Sequence, residues 1–149
     1  QFQKAEDWLD ISRRAGQLFG HFRAISQSDP HLYEVIYQST ASGALHVTIE
    51  QAASLATMIN VFTVEPEKQQ QLIETWFKEG KQFERLPGFI STTLHRSTDG
   101  KRVINYAQFQ KAEDWLDISR RAGQLFGHFR AISQSDPHLC EVVYLRKPQ

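Results

Sequence analysis

Residues 103–109 read Val-Ile-Asn-Tyr-Ala-Gln-Phe, a short apolar run behind the turn signal Ser97-Thr98-Asp99-Gly100. Its β-branched and aromatic residues predict a strand entered from a hairpin. With a period of two, Val103, Asn105, Ala107 and Phe109 share one face, and Ile104, Tyr106 and Gln108 the other. Residues 59–64 alternate in the same way, with Asn60, Phe62 and Val64 opposite Ile59, Val61 and Thr63. A further strand is expected at 89–95, where parity links Phe89, Ser91, Thr93 and His95. Between the strands at 59–64 and 89–95 the period changes. Leu72, Ile73, Trp76, Phe77, Gly80 and Phe83 form a broad stripe at helical spacing over 66–86, as a helix covering a sheet requires. Pro66 suits the first helical position and Pro87-Gly88 stops the run. Core packing accounts for Trp76 and Phe83.

Residues 111–133 repeat the helical spacing, Asp136-Pro137 reads as a breaker, and a last strand is expected at 139–145. The order is then β-α-β-β-α-β, the ferredoxin-like arrangement of an antiparallel sheet with helices on one face. The strands carry apolar residues on both faces, so the second face also needs cover. Another such sheet is the economical solution, and a face-to-face dimer is expected.

The front of the chain repeats the back. Residues 1–32 are identical to 108–139, an offset of 107, and Glu34-Val35-Ile36-Tyr37 continues loosely against Glu141-Val142-Val143-Tyr144. One offset of that length is a domain and not a solenoid period. The expected organisation is a partial repeat at 1–37, a linker at 38–57, within which 46–49 could add a short strand, and a complete unit at 58–149. The partial copy supplies helix over 4–26, where Gly16 and Gly20 allow one helix or two, and a strand at 32–37. Its Trp8, Leu9, Leu18, Phe19 and Phe22 need a sheet to cover. Two identical segments competing for one sheet invite domain swapping.

Composition narrows the function classes. Seventeen basic and seventeen acidic residues cancel, so there is no basic stripe for nucleic acid. The single cysteine, Cys140, excludes an intrachain disulfide and a cysteine metal cluster. No apolar run approaches the ~20 residues of a membrane span, and a cytoplasmic location is expected. A chain opening on Gln reads as a processed or excised piece. No HxH or HExxH pattern, phosphate-binding glycine loop or GxSxG elbow is present.

An amide among apolar neighbours must find partners or face a wet cavity, which makes Asn105 the leading candidate for function. Taken with Leu86-Pro87-Gly88-Phe89, Ser91 and the turn at 97–100, the run Asn105-Tyr106-Ala107-Gln108-Phe109 resembles the antibiotic biosynthesis monooxygenase family over roughly 58–144. The resemblance implies a dimeric α+β barrel and, as in some members, oxidation of polycyclic phenols by O₂ without a metal or flavin. In members with that activity the strand reads Asn-Tyr-Ala-Gln-Trp, and its Asn and Trp face the barrel cavity with an aromatic from the next helix. Here Phe109 stands at the tryptophan position and Trp115 at the helix aromatic.

The expected site therefore has Asn105 donating to a developing oxyanion, with Phe109, Trp115 and Phe62 as apolar walls in a hollow between two sheets. His95, at the end of its strand, is a candidate acid or base. Two other readings stand beside the oxygenase: a non-enzymatic dimeric barrel binding a small metabolite, and a haem-binding or haem-degrading protein with His128 on the iron. His31 and His138 occupy one repeat position at a turn and are read as structural.

Overall fold

The computed structural model describes residues 4–14, 26–27, 29–44, 49, 55–121, 123 and 126–146, without the side chains of residues 5, 8, 9, 12 and 14. It divides the chain into two units, Gln1–Leu32 and Tyr33–Gln149. In the first, α1 spans Ala5–Arg14, and the Lys4 N–H donates to the Asp7 carboxylate at its start (3.1 Å). Acidic Glu6 and Asp7 in the first turn suit the positive helix end. Helix expected past residue 14 and most of the strand expected at 46–49 lie outside the described residues. So does the packing expected of Trp8, Leu9, Leu18, Phe19 and Phe22.

The second unit carries β1 (Tyr33–Thr40), β2 (Ala56–Thr63), α2 (Gln69–Glu79), β3 (Phe89–Ser97), β4 (Arg102–Phe109), α3 (Ala112–Arg121), α4 (Phe126–Ile132) and β5 (Gln134–Cys140). Short 3₁₀ turns, Pro66–Lys68 and Gly80–Arg85, flank α2. The strands form one sheet in the order β1-β3-β4-β2-β5, every neighbouring pair antiparallel. Without β1 the order β5-β2-β4-β3 is ferredoxin-like, as expected. With it, the strand of the partial repeat lies in the same sheet as the complete unit. The contact boundary accordingly falls after Leu32 and not after residue 37.

The last strand differs from expectation. β5 runs Gln134–Cys140 with Asp136-Pro137 inside it, and residues 141–146 lie outside any strand. Proline is tolerated because β5 is an edge, paired with β2 alone, where a missing N–H can face away from the ladder.

One sheet face carries the helices. Two apolar clusters form there. The first joins Phe62, Leu72, Ile73, Trp76, Leu94, Val103 and Phe129; the second joins Met58, Phe89, Ala107, Phe109 and Ile118. The start of α2 is tied to the β3–β4 hairpin by Gln69, whose amide donates to the carbonyls of Ser97 and Arg102, both at 3.0 Å. On the opposite face Thr57, Ser91, Thr93 and Gln108 are buried, so that face is more polar than the sequence pattern suggests.

Candidate functional site

Between the two apolar clusters the helices stand off the sheet and leave a hollow. Asn60, Asn105 and Thr92 rise from its floor, with Met58, Phe62, Phe89, Ala107 and Phe109 around them. Trp76, Gly80, Phe83 and Glu84 come from α2 and the turn after it, and Trp115, Phe126 and Phe129 from α3 and α4. Alternation along β2 and β4 puts Asn60 and Asn105 on the helix-covered face. This corrects the expected placement: the amide looks into a space between sheet and helices, not between two sheets. Large aromatic rings from the helices roof that space.

Asn105 is also not alone. Asn60 is its direct partner in the β2–β4 register, and the amide carbonyls of both are taken by hydroxyl donors. Thr92 donates to Asn105 Oδ1 (2.6 Å), and Ser135 donates to Asn60 Oδ1 (3.0 Å). Each side chain then has its N–H₂ group left for a ligand. Asn60 has the same signature in sequence as Asn105, an amide within an apolar alternating strand, and the same reasoning finds it.

The walls are aromatic and close. Phe109 lies 5.7 Å from Trp115 between ring centroids and 6.2 Å edge-on from Phe89. Phe83 stacks on Phe126 at 5.4 Å, and Phe62 meets Phe129 at 5.8 Å. The expected Phe62, Phe109 and Trp115 are therefore brought together with Asn105, while Trp76 and Phe83 line the hollow as well as packing the core. Gly80 leaves room for the Trp76 indole to lie along the turn after α2, since a Cβ there would sit 3.0 Å from it.

Glu84 is the one carboxylate among the lining residues. Its two oxygens accept from Tyr37 (2.8 Å) and Ser39 (2.7 Å), both on β1. Tyr37 also packs on Trp76 at 5.2 Å. Burial raises the Tyr37 hydroxyl above its ordinary value, and the Glu84 carboxylate adds to the rise.

His95 is not part of this arrangement. Phe89 pairs with Phe109 but Ser91 with Gln108, a bulge at Ile90 that shifts the register. Past it, Thr92 and Leu94 share the helix face with Phe89, while Ser91, Thr93 and His95 turn to the other. Burial holds the His95 imidazole below its ordinary value. His128 does not line the hollow either; it is exposed, with its Nδ1 2.8 and 2.9 Å from the two Glu79 oxygens. Among the described residues no group of three or more His, Cys, Asp or Glu could hold a metal ion.

The inner hollow is small, about 40 Å³, room for a few water molecules. A second space of about 170 Å³ shares Asn60, Trp115, Phe126 and Phe129 with it and opens past Ser119, Arg130 and Pro137. Asn60, Trp115, Phe126 and Phe129 thus line both spaces.

A ferredoxin-like sheet with an aromatic chamber under its helices defines a small α+β scaffold. The sequence pattern of the antibiotic biosynthesis monooxygenase family matches residues 55–134, and the chain belongs to that family. It is similar to the tetracenomycin-F1 monooxygenase of Streptomyces glaucescens, 37% identical over 100 residues that cover 65% of this chain and 89% of that protein. Its fold is like that of an anthrone oxidase-like protein, with a TM-score of 0.73 at 23% identity. That likeness covers 93% of this chain and 66% of the other, so the chain spans just under two thirds of that protein. A monooxygenase of Streptomyces coelicolor, ActVA-Orf6, solved with nanaomycin D, has a TM-score of 0.56 at 23% identity over 63% of this chain and 92% of its own. No helix among the described residues is long and apolar enough to cross a membrane.

Proposed function

We propose that this chain oxidises a planar phenolic or polyketide-like aromatic with O₂, using side chains alone to stabilise the reacting anion. The observation that carries the reading is the pair Asn60 and Asn105, opposed in register with both carbonyls already bonded. In an apolar chamber, two N–H₂ groups aimed at one oxygen stabilise a developing oxyanion far better than water-exposed donors do. The relatives named above, a tetracenomycin-F1 monooxygenase and an anthrone oxidase-like protein, support that substrate class.

The chemistry balances without a further reductant. The substrate loses a proton from an acidic ring position, and Glu84 is the carboxylate on the wall able to accept it through its remaining lone pairs. The anion gives one electron to O₂, and the substrate radical and superoxide combine to form a C–O bond. Protonation gives a hydroperoxide, and loss of water leaves a carbonyl: a ring CH₂ and O₂ become C=O and H₂O. Phe62, Phe109 and Trp115 hold the ring system and keep bulk water from the peroxide.

Anthrone- and naphthol-like compounds, followed by oxygen uptake and quinone absorbance, test this directly. Asn105→Ala and Asn60→Ala are each expected to lower kcat about 10²–10³-fold, with unchanged circular dichroism. Turnover equal to the parent in both variants would remove the amides from the mechanism. We further propose that two copies close a barrel through the sheet face opposite the helices. A solution mass of one chain would refute that.

A further inference from the structure

Consecutive strands of the sheet, in the order β3-β4-β2-β5, each contribute one polar side chain to a single row: Thr92, Asn105, Asn60 and Ser135. Asn105 and Asn60 are direct partners. Thr92 pairs with Ala107 and Ser135 with Phe62, so each hydroxyl stands one diagonal step outside its amide. The row is polarised inward from both ends. Thr92 donates to Asn105 Oδ1 at 2.6 Å, and Ser135 to Asn60 Oδ1 at 3.0 Å. Thr92 is 2% exposed and Asn60 4%, which makes bulk water a poor alternative partner.

Two facing amides have a competing arrangement. Directly opposed residues of an antiparallel pair carry Cβ atoms about 4.5–5.5 Å apart, close enough for one N–H₂ to donate to the other's carbonyl. That bond would satisfy part of each buried amide and consume a donor that the chamber needs. The structure shows the other arrangement, with each carbonyl bonded to its flanking hydroxyl.

We propose that Thr92 and Ser135 are positioning residues: by holding the two carbonyls they stop Asn60 and Asn105 from bonding each other, and so keep the centre of the row a site of donors only. The catalytic consequence rests on the oxygenase reading; the geometry does not. Donors alone favour an acceptor, an ionised phenol oxygen above all. Loss of either hydroxyl frees one carbonyl, and the amides then pair across β2 and β4. Once that pair has formed, freeing the second carbonyl changes little, so the two losses are not additive.

4-Nitrophenol, which absorbs visible light when ionised and is not oxidised by O₂, reads the donors without turnover. Thr92→Val keeps the shape of the side chain and removes its hydroxyl. It and Ser135→Ala are each expected to raise the pH at which the bound dye ionises by about one unit, whereas Thr92→Ser leaves it as in the parent. With an anthrone as substrate, Thr92→Val is expected to lower kcat about tenfold at nearly unchanged KM, less than loss of an amide because pairing leaves some N–H groups free. The double variant Thr92→Val/Ser135→Ala should lie within about twofold of the worse single one. Dye ionisation unchanged in both single variants overturns the proposal, as does a parent that does not take up the dye. Damage by Thr92→Ser equal to that by Thr92→Val, or losses that multiply in the double variant, also overturn it. Should Thr92→Val fail to fold, Ser135→Ala against Ser135→Thr on the edge strand decides by the same dye reading. If no variant or parent oxidises an anthrone while the dye pattern holds, the oxygenase reading fails and the positioning role stands.

Discussion

Gly88 turns the chain between the helical region and β3 at φ +82, and a Cβ there would overlap the Asp114 carboxyl group. Gly88→Ala combines left-handed strain with that overlap and is expected to cost about 1–3 kcal/mol, read as a lower melting temperature. His95 gives a pH signature. Its imidazole is held below the ordinary 6.5 by burial, so the unfolded chain binds the proton more readily. Stability is then full above 6.5 and falls as the pH drops below it. His95→Gln is expected to flatten that part of a melting-temperature profile; an unchanged slope would contradict the burial. Single residues were legible to different depths. The amide at 105 stood out because an unpartnered polar group among apolar neighbours is expensive. Parity counted straight through Ile90 puts His95 with Phe89, and nothing in the residues of β3 marks the bulge that separates them. Trp76 and Phe83 were read as core because helical periodicity gives the face of a side chain and not the depth of the space beneath it.

At the scale of elements, the repeat separates what is local from what is not. The peptide Ala-Glu-Asp-Trp-Leu-Asp-Ile-Ser-Arg-Arg is helical in both copies, as α1 and as α3. Its acidic first turn and basic end suit a helix wherever it lies. The following Gln-Ser-Asp-Pro-His-Leu behaves otherwise. It is most of β5 in the second copy, while residues 27 and 29–32 of the first copy lie outside any strand. Both copies keep the local bond from histidine to aspartate, His31 to Asp29 and His138 to Asp136, each 2.9 Å. Strand formation here depends on an available β2 edge, which no inspection of the peptide reveals. The short α4 depends on packing in the same way. Its one buried residue, Phe129, rests on Phe62, and Phe129→Ala is expected to cost about 3–5 kcal/mol, lowering the melting temperature by roughly 10 °C. A small shift would mean that the His128–Glu79 contact, and not the ring, holds the helix.

For the whole molecule, the ferredoxin-like order β5-β2-β4-β3 followed from sequence because alternating and helical periods came in a recognisable sequence of lengths, whereas the place of β1 beside β3 did not. The chamber did not, since its existence depends on how far bulky rings prop α2, α3 and α4 off the sheet. Its size sets the next expectation. With about 40 Å³ in the space over the amides and about 170 Å³ in the second, a three-ring substrate needs Trp115 and Phe126, which line both, to move aside. Phe126→Ala is expected to shift kcat/KM toward three-ring over two-ring substrates about tenfold. An unchanged ratio would mean that the Phe126 ring does not limit how the substrate sits.

The twin Gln-Ser-Asp-Pro-His-Leu peptides also make the protein its own calibrant for amide hydrogen exchange. Intrinsic exchange depends on neighbouring side chains, and those neighbours are the same in both places apart from the residue after leucine. Any difference in protection between the two, resolved by NMR, measures the ladder to β2 and its opening free energy, with no unfolded reference chain to prepare.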